Sequence, residues 1–120
     1  MGSFFRKADT EKTDTYTHES GEWIRVRASL TKAEANDILR RAPTQERDLG
    51  AGLAFLEGFL GVVLVGWSFE DEEGNPVAPS IENFRLMEAA GARWIEDRAS
   101  EHLNKVLGRE VEVTEGESNA

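Results

Sequence analysis

Cysteine is absent from this sequence of 120 residues, and only two histidines, His18 and His102, are present. Without cysteine the chain forms no disulfide and no sulfur-ligated zinc or iron–sulfur centre, which suits a reducing compartment. The glycine-rich motifs of nucleotide binding and the G-x-S-x-G motif of a serine nucleophile are also missing. A histidine that lies alone on the apolar stripe of a helix, such as His102, is usually a core or boundary residue with its ring hydrogen-bonded, and not a catalyst. We therefore predict a protein that is not an enzyme and binds no metal or cofactor.

Basic residues are outnumbered by acidic ones. The chain has 14 lysines and arginines and 23 aspartates and glutamates, which gives a net charge of −9. Nucleic-acid binding draws most of its affinity from lysine and arginine, so this balance argues against a nucleic-acid partner. It favours solubility and basic partners. The length suits one domain. We assign residues 1–12 to a flexible N-terminus, residues 13–107 to the domain, and residues 108–120 to an acidic tail that we expect to be disordered.

The domain begins with a predicted β-hairpin over residues 13–29. Polar and apolar residues alternate on both sides of Ser20-Gly21, which is typical of two strands and a turn. Two strands alone are marginally stable, so the hairpin must pack on a helix or join a larger sheet. Thr31 and Glu34 then form a capping-box pattern, which predicts a helix over about 32–41 that ends before Pro43.

The segment of about 46–66 predicts a helix that is apolar on every side, and over residues 49–67 only Glu57 interrupts the apolar run. One predicted face contains Leu49, Leu53, Leu56, Leu60 and Val63, and a second contains Ala51, Phe55, Phe59 and Val62. A third stripe of mostly small residues, Gly50, Ala54, Gly58, Gly61 and Val65, would let another backbone approach closely. Such a helix is covered by its own domain, by a partner or by lipid. A membrane span is the least favoured of these, because glycines and Glu57 interrupt the apolar run.

Four acidic residues, 70–73, and the sequence Gly-Asn-Pro follow directly, and we call residues 70–76 the acidic turn. A calcium loop counted from Asp71 needs glycine at its sixth position, where Pro76 stands, so a solvated turn is the better interpretation. Ser80 is the predicted N-cap of a last helix over 81–107, which Gly91 could bend or split. The sequence thus predicts a mostly α protein with a small N-terminal β-hairpin, an α+β fold with three to four helices.

Several of these segments resemble the small tail assembly chaperones of long-tailed bacteriophages, particularly those of actinobacterial hosts. The similar segments are Trp67-Ser68-Phe69, the turn from Asp71 to Pro76, Trp94 to His102, and the opening hairpin with its capped helix, so the likeness covers about residues 13–107. The resemblance implies a helical protein of the host cytoplasm that is absent from the finished virion. It also implies binding of the tape measure protein, which such chaperones keep soluble and present for polymerisation of the tail tube.

The apolar helix and its aromatic neighbours are therefore the predicted partner-binding region, although a core role for the aromatic residues stays open. The candidate binding residues are Phe55, Phe59, Val62, Trp67, Phe69 and Trp94, and the helix-packing stripe is Gly50, Ala54, Gly58 and Gly61. The expected partners are the tape measure protein, the tail tube protein and further copies of the chain. Two alternatives remain, a structural component of the virion (a connector or minor tail protein) and a small single-span membrane protein.

Overall fold

The N-terminal β-hairpin is the first element of a computed structural model that describes residues 7–42 and 49–107, except for the side chain of Leu49. Strand β1 (Thr13–Thr17) pairs antiparallel with strand β2 (Trp23–Arg27), so that Thr13 lies opposite Arg27 and Thr17 opposite Trp23. Gly21 in the connecting turn has a φ of 98°, a conformation that glycine adopts without strain. Alternation along β2 buries Ile24 and Val26 on one side of the sheet.

The apolar helix is shorter than predicted and continues into a third strand. Helix α2 (Leu49–Val63) leads directly into strand β3 (Leu64–Trp67), which pairs antiparallel with β2 and gives the sheet order β1-β2-β3. The prediction of helix up to residue 66 is therefore wrong at its C-terminal end. The open edge of β2 supplies backbone partners there, and the residues after Val62 are rich in the β-branched and aromatic types that strands favour. Residues 46–48 of the predicted helix lie outside the described residues.

The last predicted helix is divided in two. Ser80 caps helix α3 (Ile81–Phe84), where its Oγ accepts a hydrogen bond of 3.0 Å from the amide of Asn83, and helix α4 runs over Ala89–Val106. The N-cap is confirmed, whereas the predicted break at Gly91 is wrong, since Gly91 lies inside α4. The break falls at 85–88, although these residues favour helix, and α2 contacts the helices on both sides of it.

One hydrophobic core joins the sheet to all four helices of the described residues. Its buried members are Ile24, Val26, Ile38, Phe59, Leu60, Val63, Trp67, Phe84, Ile95 and Ala99. This arrangement confirms the α+β class and shows what covers the hairpin, since both a third strand and α2 pack against it. Pro43 and the proposed acidic tail at 108–120 lie outside the described residues.

Helix α1 (Lys32–Arg40) is fixed to β2 through its own N-terminal cap. The predicted capping box is confirmed: Thr31 Oγ1 accepts from the Glu34 amide at 3.1 Å, and Glu34 Oε1 accepts from the Thr31 amide at 2.9 Å. Arg27 donates to both carboxylate oxygens of Glu34, at 2.9 and 3.0 Å. These bonds, led by the one from Arg27, lower the pKa of Glu34 from 4.5 to about 2.

We predict that Glu34→Gln removes the part of the free energy of unfolding that depends on the ionisation of Glu34. Because the folded pKa is lowered, the contribution of Glu34 is present above about pH 4.5 and is lost as the pH falls towards 2. Glutamine retains the capping box, so the loss of the Arg27 pair should cost about 1 kcal/mol at pH 7 and flatten the pH dependence below 4.5.

Urea unfolding at a series of pH values measures both effects. Asp37→Asn is the matched control, because Asp37 lies on the same helix and, among the described residues, forms only exposed pairs with Arg40 and Arg41. An unchanged pH profile in Glu34→Gln would contradict the prediction.

Candidate functional site

The structure divides the predicted partner-binding residues between the core and the surface. Phe59 is 2% exposed and belongs to the core, so its assignment to a partner surface is corrected. Trp67 is 9% exposed and also packs in the core, but it lines a surface groove as well. Phe55 and Val62 are half-buried and pack against that core. Phe69 and Trp94 are also half-buried, but they line a groove on the surface.

Helix α2 turns its larger side chains inward and its smaller ones outward. The core side carries Phe59, Leu60 and Val63, so both predicted faces of large residues contribute to a single buried side. The predicted small stripe, Gly50, Ala54, Gly58 and Gly61, is exposed. Another element approaches this stripe closely at Gly61, where an added Cβ would lie 3.3 Å from Ile81 Cγ1, whereas Gly58 faces open space.

We call the exposed side formed by Leu53, Ala54, Gly58 and Gly61 the outer face of α2. Leu53 is 36% exposed on it, and Val65 in β3 is 48% exposed. Glu57, the one charged residue among the 15 of α2, accepts hydrogen bonds of 2.9 and 2.8 Å from Nε and Nη2 of Arg85. The outer face is therefore apolar, made of small side chains and locally neutral. Beside it, Ala54, Phe55 and Gly58 line a shallow pocket of 260 Å³ together with Ile38 of α1.

A larger groove of 760 Å³ brings together three of the predicted aromatic residues, and we call it the aromatic groove. Its apolar lining consists of Trp67, Phe69, Val77, Leu86, Met87 and Trp94. The Trp67 and Phe69 rings lie 5.0 Å apart, and Trp67 Nε1 donates to the Val77 carbonyl at 2.6 Å. Trp94 meets the His18 ring edge-to-face at 5.2 Å. These contacts hold the aromatic side chains in fixed positions.

The acidic turn forms one side of the aromatic groove and is ordered by hydrogen bonds between the Asp71 side chain and its own backbone amides. Asp71 Oδ1 accepts from the amides of Glu73 and Asn75, at 2.9 Å each, and Gly74 has a φ of 84°. The acidic lining of the groove is Glu22, Glu70, Asp71, Glu72 and Glu88. Within the described residues, no group of three or more histidine, aspartate or glutamate side chains is arranged to hold a metal ion.

His102, the histidine on the apolar stripe of α4, is a buried structural residue. Its ring is 1% exposed; Nε2 lies 2.6 Å from the carbonyl of Arg27, and Nδ1 lies 2.8 Å from the hydroxyl of Tyr16. Because a carbonyl only accepts, Nε2 carries the proton and Nδ1 accepts from Tyr16. Burial lowers the pKa of His102 and outweighs the opposite effects of the Arg27 carbonyl and the Asp14 carboxylate. The neutral ring is fully hydrogen-bonded and inaccessible to a substrate.

No protein-family model, curated protein or solved structure matches this chain. The resemblance to tail assembly chaperones therefore remains a prediction. Over residues 7–42 and 49–107, no helix combines the length and the apolar character needed to cross a membrane.

Sequence reasoning missed how the aromatic groove is assembled. Glu22 comes from the hairpin turn, Glu88 from the break between α3 and α4, and Glu72 from the acidic turn. No local pattern connects these positions, because the contacts between distant elements bring them together. The available signal was the adjacency of Phe69 to four acidic residues, which marks one side of the groove.

We predict that the stability of the fold decreases below about pH 6.5 because of His102. Its pKa is lower in the folded than in the unfolded chain, so the unfolded chain binds more protons as the pH falls below 6.5. Thermal unfolding between about pH 7.5 and about pH 5.5 should show this loss in the unaltered protein. It should be absent from His102→Gln and preserved in His18→Gln. An identical slope in His102→Gln would contradict the assignment.

We also predict that Phe59→Ala destabilises the isolated protein strongly. Removing a fully buried ring leaves a cavity in the core and should cost about 3–5 kcal/mol. Leu53→Ala, on the same helix but on the outer face, should cost about 1 kcal/mol or less. Urea unfolding of the two variants compares them directly, and equal losses would contradict the assignment of the two sides of α2.

Proposed function

We propose that this protein is a non-enzymatic tail assembly chaperone of a long-tailed bacteriophage. It binds the tape measure protein in the host cytoplasm and keeps it soluble until the tail tube polymerises, with the tail tube protein as a second partner. The observation that carries the proposal is the outer face of α2, which is exposed and apolar, and whose neighbouring charge, Glu57, is paired with Arg85. The resemblance of residues 13–107 to that family supplies the identity of the client.

Binding of an apolar helix by the outer face follows from its side chains. Ala54 and Gly58 project little, so the backbone of another helix can approach α2 closely and make many dispersion contacts. Leu53 adds an exposed side chain whose burial supplies part of the affinity. The net charge of −9 keeps a complex with an aggregation-prone client in solution. The same face offers a second copy of the chain a place to pack.

We predict that Leu53→Asp abolishes solubilisation of the client without unfolding the chaperone. The substitution places a charge where an apolar contact forms and should weaken client binding by about tenfold or more. Co-expression with the tape measure protein, followed by quantification of the client in the soluble fraction, measures the effect. Ser100→Asp is the matched control, because Ser100 is exposed in the middle of α4, outside the proposed face.

Two results would contradict the proposed function. The first is full solubilisation of the client by Leu53→Asp while circular dichroism shows both variants folded. The second is the presence of this protein in stoichiometric amounts in purified virions, measured by mass spectrometry, because a chaperone leaves before the particle is complete. That second result would favour a structural component of the tail.

A further inference from the structure

We propose that the aromatic groove is a second binding site, and that it takes a polypeptide segment in which a large apolar side chain lies next to lysine or arginine. This inference rests on the proposed function only for the identity of the partner, which we take to be the client. The outer face of α2 and the aromatic groove differ in chemistry. The former is small and neutral, whereas the latter is aromatic and acidic.

The apolar lining of the groove is suited to receive a large side chain. Trp67 is held by its bond to the Val77 carbonyl and by the Phe69 ring, so the aromatic surface is ordered before a partner arrives. Met87 adds an adaptable thioether. Leu86 is 82% exposed, which leaves a large apolar side chain at the groove with almost no cover from its own chain. A partner that buries Leu86 together with the aromatic rings removes this apolar surface from water.

The acidic lining determines the charge of the partner. Five carboxylates line the groove, and none of the described residues that line it is lysine or arginine. Within the described part of the chain, none of these five carboxylates pairs with a cationic side chain, although Glu22 accepts from Ser20 Oγ at 3.2 Å. Their negative potential attracts a cationic segment, speeds its association and repels acidic ones.

The polarity of the groove, rather than its size, favours a polypeptide over a small polar ligand. Its volume of 760 Å³ lies within the range of about 300–1,000 Å³ that small-molecule sites also have, so the lining decides between the two. Small ligands are oriented by precisely placed polar groups. Two buried side-chain atoms in the described residues lack a hydrogen-bond partner, Nε of Arg27 and Nε of Arg98, and neither residue lines the groove. The groove offers apolar surface and negative charge. A polypeptide with an apolar side chain next to a basic one complements both.

A second copy of this chain is a poor occupant of the groove. Each copy has a net charge of −9 and the same acidic lining, so approach of two copies through this side is opposed by like charges.

The chain does contain one short segment of the required composition, Phe4-Phe5-Arg6-Lys7. Its occupancy of the groove is a separate outcome that the experiment detects.

Calorimetric titration of the full chain with two synthetic peptides tests the inference. One peptide is an amphipathic sequence of leucine, tryptophan and lysine, and the other has glutamate at every lysine position. The lysine peptide should bind and the glutamate peptide should not. Raising the ionic strength should weaken binding, since salt screens exposed charges beyond about 8 Å at physiological concentration.

Charge-reversal variants locate the site. Glu70→Lys with Glu72→Lys should weaken binding of the lysine peptide by about tenfold, because both side chains are exposed and line the groove. Glu11→Lys with Glu101→Lys produces the same change in net charge at exposed positions outside the groove lining, so affinity should stay within about twofold. Leu86→Ser should weaken binding by about threefold, since it removes apolar area without disturbing the core.

Three results would overturn the inference: equal binding of both peptides, equal effects of the two charge-reversal pairs, or a gain of about tenfold in affinity when residues 1–7 are deleted. The last would show that the N-terminal segment of the chain is the occupant.

The client assay separates this inference from the proposed function. If the unaltered chain fails to bind the lysine peptide but solubilises the client, only the groove site is overturned. If it binds the lysine peptide but leaves the client insoluble, only the chaperone assignment is overturned.

Discussion

Strand β2 is the element on which the rest of the structure depends, and Arg27 at its end holds three other elements at once. Its backbone pairs with Thr13 of β1, its guanidinium binds Glu34 at the start of α1, and its carbonyl accepts from His102 of α4. The other edge of β2 pairs with β3, and its buried side chains contribute to the core shared with α2. A strand with alternating apolar and basic residues can do this because one of its sides faces the core and both of its edges pair with a strand.

Features that a few adjacent residues determine could be predicted from the sequence, and features that distant contacts determine could not. The Thr31–Glu34 box and the Ser80 cap depend on side chains within three residues of their amides, so both were predicted correctly. The segment 64–67 continued a helical pattern but forms a strand, because the free edge of β2 offers hydrogen bonds that no local pattern records. The same limit hid the break at 85–88.

Helix α2 shows why apolar periodicity alone could not separate core from surface. When every side is apolar, the pattern cannot show which one meets the core. The structure gives an answer based on size: Phe59 and Leu60 fill the space beneath the sheet, whereas Gly58 is left in the open. Most of the large side chains are placed where burial gains the most, whereas Gly52 and Gly58, which weaken the helix, face open space.

The distribution of charge distinguishes the two exposed apolar surfaces and gives the acidic turn a role. A helix with an apolar outer face can associate with many apolar chains. A face without charge does not discriminate among them. The acidic turn places carboxylates beside Phe69, so we expect a partner at the aromatic groove to be selected by its charge. A long client that carried an apolar helix and a nearby basic segment would meet both surfaces in one molecule, and the second contact would then be intramolecular and correspondingly stronger. Segments with only one of these features would be held weakly, which is the selectivity that a soluble carrier of an aggregation-prone chain requires.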